Sequence, residues 1–244
     1  NATEIMYIEV TGLTASDVKG VDWSNPSPLG KVLNNNESKK VALKLGAIAD
    51  LTDMSYCFSG CSNLVQVSAI PSGVTNMRCC FSNCKSLTQA PEIPNSVTNM
   101  SDCFQNCTSL VQAPVIPDKV TNMGWCFFGC TSLTQAPVIP SSVTKMSSCF
   151  SGCTSLTQAP VIPDGITHMG GCFSGCTSLT SVTLKCNYPS STADADAFKD
   201  AFGDCDSLMS NSIKVPADQL QTYRLNGDKM GLESYFGRYK FVAE

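Results

Sequence analysis

One unit of 23 residues recurs through the middle of this chain, and it leaves little freedom in what the chain can fold into. Its first cysteine falls at Cys57, Cys80, Cys103, Cys126, Cys149 and Cys172. Its methionine falls at Met54, Met77, Met100, Met123, Met146 and Met169, and its leucine at Leu64, Leu87, Leu110, Leu133, Leu156 and Leu179. A fixed period of this size specifies a solenoid, in which each unit buries its apolar face against its neighbours. Each unit offers an extended stretch, Leu-Thr-Gln-Ala-Pro-Val-Ile in most copies, closed by a proline that interrupts ladder pairing. A short helical turn is expected around Cys-Phe-x-x-Cys. One short β-strand plus one helical piece per 20–29 residues is the arithmetic of a leucine-rich repeat. The expected fold is therefore a curved, right-handed leucine-rich-repeat solenoid of about seven coils.

The flanks do not carry the repeat. Residues 1–46 are read as an N-terminal cap, with a strand over Ile5–Val10, a turn at Asn25-Pro26-Ser27-Pro28, and an apolar stretch at Val41–Leu45. Residues 47–212 are the array. After Ser181 the pattern loosens, Asn187 to Ala197 inserts a few residues, and Ala201-Phe202-Gly203-Asp204-Cys205 forms a divergent seventh unit. Residues 213–244 are read as a C-terminal cap, with a helix from Ala217 that ends near Asn226-Gly227.

Within the array the unit Cys-x-x-Leu…Ile-Pro-x-x-Val-x-x-Met-x-x-Cys-Phe-x-x-Cys resembles the BspA-like leucine-rich repeat of bacterial surface proteins. Ala201-Phe202-x-x-Cys205 keeps that family's commoner form, with alanine in place of the first cysteine. The segment from Ile213 to Tyr223 is similar to the terminal segment often seen there. The resemblance implies an extracellular or cell-surface protein with an adhesive role. The chain begins at Asn1 rather than Met and shows no export leader, as a trimmed mature chain would.

Composition narrows the function classes. A net charge of −4 argues against nucleic acid as a partner, and no apolar run reaches the roughly 18 residues of a membrane span. Fifteen cysteines are the loudest chemical signal, and all but Cys79 and Cys186 lie in the repeat register. Cysteines four apart on a helical turn have Cβ atoms about 5–6 Å apart, whereas a disulfide wants roughly 3.8 Å. A metal needs thiolates that converge, and a ladder does not converge. Stacked small apolar thiols are the favoured reading, with some disulfides left open. Cys79 is expected to be the most exposed thiol.

His168 is the only histidine and reads as a solvated turn residue. It leaves no adjacent nucleophile and base unless it serves itself. No cofactor motif is present, and catalysis is not expected. A polysaccharide hydrolase would need a carboxylate pair in a cleft, whereas the acids of the array stand singly. The expected ligand-binding surface combines the column Gln89, Gln112, Gln135 and Gln158 and the neighbouring Pro114 and Pro137 with the aromatic pair Trp125 and Phe128. Trp125 and Phe128 break a pattern otherwise held by small or polar residues. The expected partner of this monomer is a host protein or glycan. The alternative is a spacer or scaffold without its own ligand.

Overall fold

A computed structural model describes residues 4–36, 38–189, 196–232 and 240–244. Strand β1 (Ile5–Val10) pairs in parallel with β2 (Lys40–Leu45), and β2 pairs with β3 (Leu64–Val67). At the other end β4 (Gln158–Ile162), β5 (Ser181–Leu184), β6 (Ile213–Val215) and β7 (Phe241–Ala243) form a second parallel sheet in that order. On the sheet face the coils between them run extended, with Gln112 paired opposite Gln135, while a second line of parallel pairs runs along the turn side from Asp53–Asn76 to Lys145–His168.

One column explains the gap between the sheets. The residues spaced by 23 are Ser68, Pro91, Pro114, Pro137, Pro160 and Thr183. Ser68 donates its N–H to Leu43 O at 2.9 Å, and Thr183 stands in register with Val161. The four prolines have no N–H to offer to the coil before them, so the ladder toward that coil is broken at each one, and Pro160 in β4 pairs onward only because β5 lies after it. A ladder strand in every coil, expected from the sequence, is therefore made only next to the coils that keep this donor.

The Cys-Phe-x-x-Cys stretch is not a continuous helix. Within one coil Cys126 N bonds to Met123 O at 3.1 Å and Cys130 N to Phe127 O at 3.1 Å, each closing a tight turn. The N–H groups between them leave for the next coil. Trp125 N reaches Ser147 O at 2.9 Å, Phe127 N reaches Cys149 O at 2.9 Å, and Gly129 N reaches Ser151 O at 2.8 Å. The backbone alternates between turn bonds and coil-to-coil bonds, which satisfies every donor in a stretch that has no room to leave one unpaired. Both turns place their third residue at positive φ, the signature of type II turns. Those positions are Gly129 and Trp125 in this coil, with Asn83, Asn106, Gly152 and Gly175 among the equivalents of Gly129.

The core is a set of columns. Met, Cys, Phe, Leu and Val of every coil are buried in one continuous cluster. The rings from Phe58 to Phe173 stack in parallel with centroids 5.4–5.6 Å apart, and Phe202 continues the stack 5.8 Å from Phe173. Offset stacking of this kind contributes about 0.5–1.5 kcal/mol per pair beyond area burial.

Helix α1 (Pro28–Asn34) lies where a preceding coil would be. Ser27 caps it by accepting from Gly30 N, and its own hydroxyl donates to Cys57 O at 2.8 Å. Proline at the first helical position supports this start, so the segment read as a turn from its prolines is a helix entry instead. Gly30 allows the approach, because a Cβ there would stand 2.4 Å from Cys57 O. At the far end, residues 229–231 supply the acceptors that an eighth coil would supply: Asp200 N bonds to Lys229 O and Phe202 N to Met230 O. Helix α2 (Leu220–Leu225) packs Tyr223 beneath β7, and its hydroxyl donates to Cys186 O at 3.0 Å. Of the insertion read between Asn187 and Ala197, residues 190–195 lie outside the described residues.

Candidate ligand-binding surface

The expected surface residues fall on two separate faces. On the sheet face Gln89, Gln112 and Pro114 share a depression of about 500 Å³ with Thr88 and Val111. Gln135 and Gln158 are exposed further along the same column. Pro137 is buried and Pro114 half-buried, so the proline column faces inward and Pro137 is withdrawn from the contact surface. The outward positions beside the glutamines are valines. Val115 and Val138 are each 87% exposed, and Val161 follows in the next coil. A bulge in β4 between Gln158 and Val161 makes this possible: three residues of β4 span the two that separate Ser181 from Thr183, which returns both Gln158 and Val161 to solvent. The valine column is readable only once the bulge is known, because strict alternation would place Gln158 and Val161 on opposite sides.

On the turn face the ring of Trp125 lies 4.8 Å from that of Phe128, tilted by 39°. Trp125 is 42% exposed at φ +58, a conformation that costs a bulky side chain of order 1–3 kcal/mol. The tryptophan flanks a groove of about 390 Å³ that runs across four coils. Small residues, Ser101, Gly124 and Ser147, form its middle column. Asn99, Asn122 and Lys145 stand on one side, Asp102 and Trp125 on the other, and Arg78 at one end.

The asparagine side of this groove is held by a ladder. Asn76 Nδ2 donates to Asp53 Oδ1 at 3.0 Å, and Asn99 Nδ2 to Asn76 Oδ1 at 3.2 Å. Asn76, Asn99 and Asn122 each accept from the N–H two residues on, closing an Asx turn. Lys145 and His168 continue the backbone pairing but end the amide ladder. His168 is half-buried rather than solvated, with Nδ1 2.9 Å from Thr167 Oγ1. Asp102 has its carboxyl pushed up by burial, opposed by the charge of Arg78.

All fifteen cysteines are buried, and none is joined in a disulfide. Thiols of the second cysteine column donate to the phenylalanine carbonyl of the coil before, as Cys107 Sγ to Phe81 O and Cys130 Sγ to Phe104 O, both at 3.1 Å. Burial pushes Cys130, Cys176 and Cys205 up to about 12, so none of them is a ready nucleophile. Cys79, expected to be exposed, is only 7% exposed. It is small enough to lie among Tyr56, Arg78 and Asp102, and burial pushes its thiol up to about 11. Among the described residues no group of three His, Cys, Asp or Glu side chains is placed to hold a metal ion, and no helix is long and apolar enough to cross a membrane.

The repeat columns agree with what sequence comparison finds. The BspA type leucine rich repeat region matches in six copies over residues 54–157 and 101–223. The chain belongs to the BspA-type leucine-rich-repeat family. Among solved structures it is similar to the leucine-rich-repeat protein of T. pallidum, at 24% identity and a TM-score of 0.57, over 80% of this chain and 85% of that one. It is also similar to a leucine-rich cell surface protein of Faecalibacterium prausnitzii A2-165, at 24% identity and a TM-score of 0.51, over 76% of this chain and 57% of that one. These likenesses establish the leucine-rich-repeat fold. No curated protein matches the chain.

The sequence named Trp125 and Phe128 but missed the groove beside them. The signal was present, because Arg78, Ser101, Gly124 and Ser147 recur at the 23-residue spacing one position before Trp125's own column.

Proposed function

We propose that this BspA-type chain is a non-catalytic binding module of a bacterial cell surface, acting as a monomer and recognising a host protein or glycan. The observation that carries this reading is Trp125. It keeps a large exposed indole at a backbone position where Asp102 and Ser148 serve the adjoining coils without it. The fold gains little from the indole there, whereas aromatic residues of this kind dominate recognition energetics. Membership in a family of surface proteins supports the location, and aligned side chains on an extended solenoid suit a large ligand.

The test is a binding screen of the purified chain against host matrix proteins and glycans, beside a Trp125→Ala/Phe128→Ala double variant. The expected result is a saturable ligand whose affinity falls at least tenfold in the variant. Full retention by the variant moves the site to the Gln–Val face.

A spacer role has one observation in its favour. Thr75, Thr98, Thr121, Thr144 and Thr167 each donate their hydroxyl to the carbonyl of the coil before, at 3.1–3.5 Å. That column stiffens the array and leaves those hydroxyls committed to the fold. Silence across the whole panel by a folded protein selects this second reading.

A further inference from the structure

The groove beside Trp125 collects the rare charges of the array. Residues 51–181 hold only four basic side chains, Arg78, Lys85, Lys119 and Lys145, and two of them line this one groove. Neither forms a salt bridge among the described residues. Arg78 lies over the Tyr56 ring at 5.7 Å. Elsewhere Lys19, Lys44, Lys185 and Lys199 do meet carboxylates. Between the two cations stands Asp102, half-buried and without a hydrogen-bond donor of its own. An ionised carboxylate can only accept, so Asp102 calls for a ligand that brings hydroxyl donors.

The space is suited to such a ligand. A Cβ on Gly124 would meet only Asn122 Oδ1 at 3.4 Å and Ser147 O at 3.7 Å, ordinary contact distances, so the glycine leaves the groove deeper by a methyl group there. An aromatic wall of this kind packs against an apolar C–H face rather than against a charge-dense group. Arg78 and Lys145 stand three coils apart, and successive coils are spaced by 5.4–5.6 Å at the phenylalanine stack. That span admits a short oligomer rather than a single small anion.

We infer that this groove binds a carboxylate-bearing saccharide. The C–H face of one ring stacks on Trp125, ring hydroxyls donate to Asp102, and the sugar carboxylate meets Arg78 or Lys145. A guanidinium engages a carboxylate in two parallel hydrogen bonds, which makes Arg78 the stronger anchor of the two. A neutral sugar satisfies Trp125 and Asp102 but leaves both cations unanswered. An acidic peptide satisfies the cations but brings few hydroxyls to Asp102. The inference rests on the proposed function and narrows its ligand to one chemical class.

Calorimetric titration tests it with trigalacturonic acid and 3′-sialyllactose as acidic probes, lactose as the neutral probe, and a glutamate-rich peptide as the competing class. The expected result is that at least one acidic sugar binds at least tenfold tighter than lactose. That preference is expected to weaken in Arg78→Met and to vanish in the Arg78→Met/Lys145→Met double variant, and all sugar binding is expected to vanish in Trp125→Ala. Circular dichroism of each variant establishes that the fold is kept. Equal binding of acidic and neutral sugars overturns the carboxylate assignment, and binding of the peptide alone overturns the saccharide. Both of those outcomes leave the proposed function standing. If no probe binds while a host protein from the screen does, the inference falls alone; if nothing binds at all, both fall.

Discussion

Trp125 and Gly152 hold the same left-handed backbone region with opposite consequences. Gly152 sits at φ +73 with room around it, the nearest atom to an added Cβ being Gly129 Cα at 3.6 Å. Gly152→Ala therefore isolates backbone strain, and urea denaturation is expected to show a loss of about 1 kcal/mol. Trp125→Gly relieves about 1–2 kcal/mol of left-handed strain and forfeits about 0.5–1.5 kcal/mol of contact with Phe128. Stability should then move by no more than about 1.5 kcal/mol while ligand binding is lost, which separates a recognition residue from a structural one. The cysteine columns make a parallel pair. Ala201 already replaces the first cysteine in the seventh coil, whereas the second column keeps Cys205, whose thiol donates to Phe173 O at 3.0 Å. Cys130→Ala is expected to cost more than Cys126→Ala, the difference being the lost thiol bond, of order 0.5–1 kcal/mol by thermal or urea unfolding. At this scale the left-handed positions were legible in part. Gly129, Gly152 and Gly175, with Asn83 and Asn106, announce one such column, and Gly171 hints at the other. That Cys79 would slip beneath Tyr56 and Arg78 was not legible, because it depends on which neighbour lies down over it rather than on any pattern of its own.

Between residues and the whole array, the proline column sets what each coil can form. The sequence shows the prolines and the extended stretch plainly, yet whether a ladder forms depends on the donor in the adjacent coil. Ser68 and Thr183 supply it and Pro91, Pro114, Pro137 and Pro160 do not. Restoring the donor should restore the ladder. Pro137→Thr is expected to extend the Gln112–Gln135 pairing, read as slower amide hydrogen exchange at residue 137's neighbours than in the parent chain. Exchange unchanged around residues 135–139 would show that the coil spacing, not the missing N–H, keeps the strands apart. Helix α1 carries the complementary lesson. Ser27 and Pro28 are a cap and a first helical residue, but the same four residues also satisfy a turn, and only the docking of Leu29 and Leu33 on the first coil decides between them.

For the whole molecule, periodicity was the most informative quantity in the sequence, since it fixed the solenoid, the core columns and the direction of stacking. It carried far less about the ligand groove, which arises where the period is broken by Arg78, Asp102, Trp125 and Lys145. The thiols also act collectively. Burial holds Cys79 and Cys186 up to about 11 and Cys130, Cys176 and Cys205 up to about 12. On unfolding each returns to the ordinary thiol range near 8.5. The folded chain keeps protons that the unfolded chain gives up above that value, so stability is full below it and is lost as pH rises toward 12. Urea midpoints measured from pH 7 upward should be level at first and then fall steeply, and a flat profile to pH 11 would contradict the burial of these groups.

The fifteen sealed thiols bear on the history of each molecule as well as on its equilibrium. A finished molecule presents no thiolate to an oxidant. A nascent or heat-opened chain presents all fifteen at once, spaced at regular intervals, with many wrong partners within reach of every right position. In an oxidising compartment, folding of such a chain becomes a race against oxidation that each molecule runs once, and one that loses it is stapled out of register with no spare reductant to undo the bond.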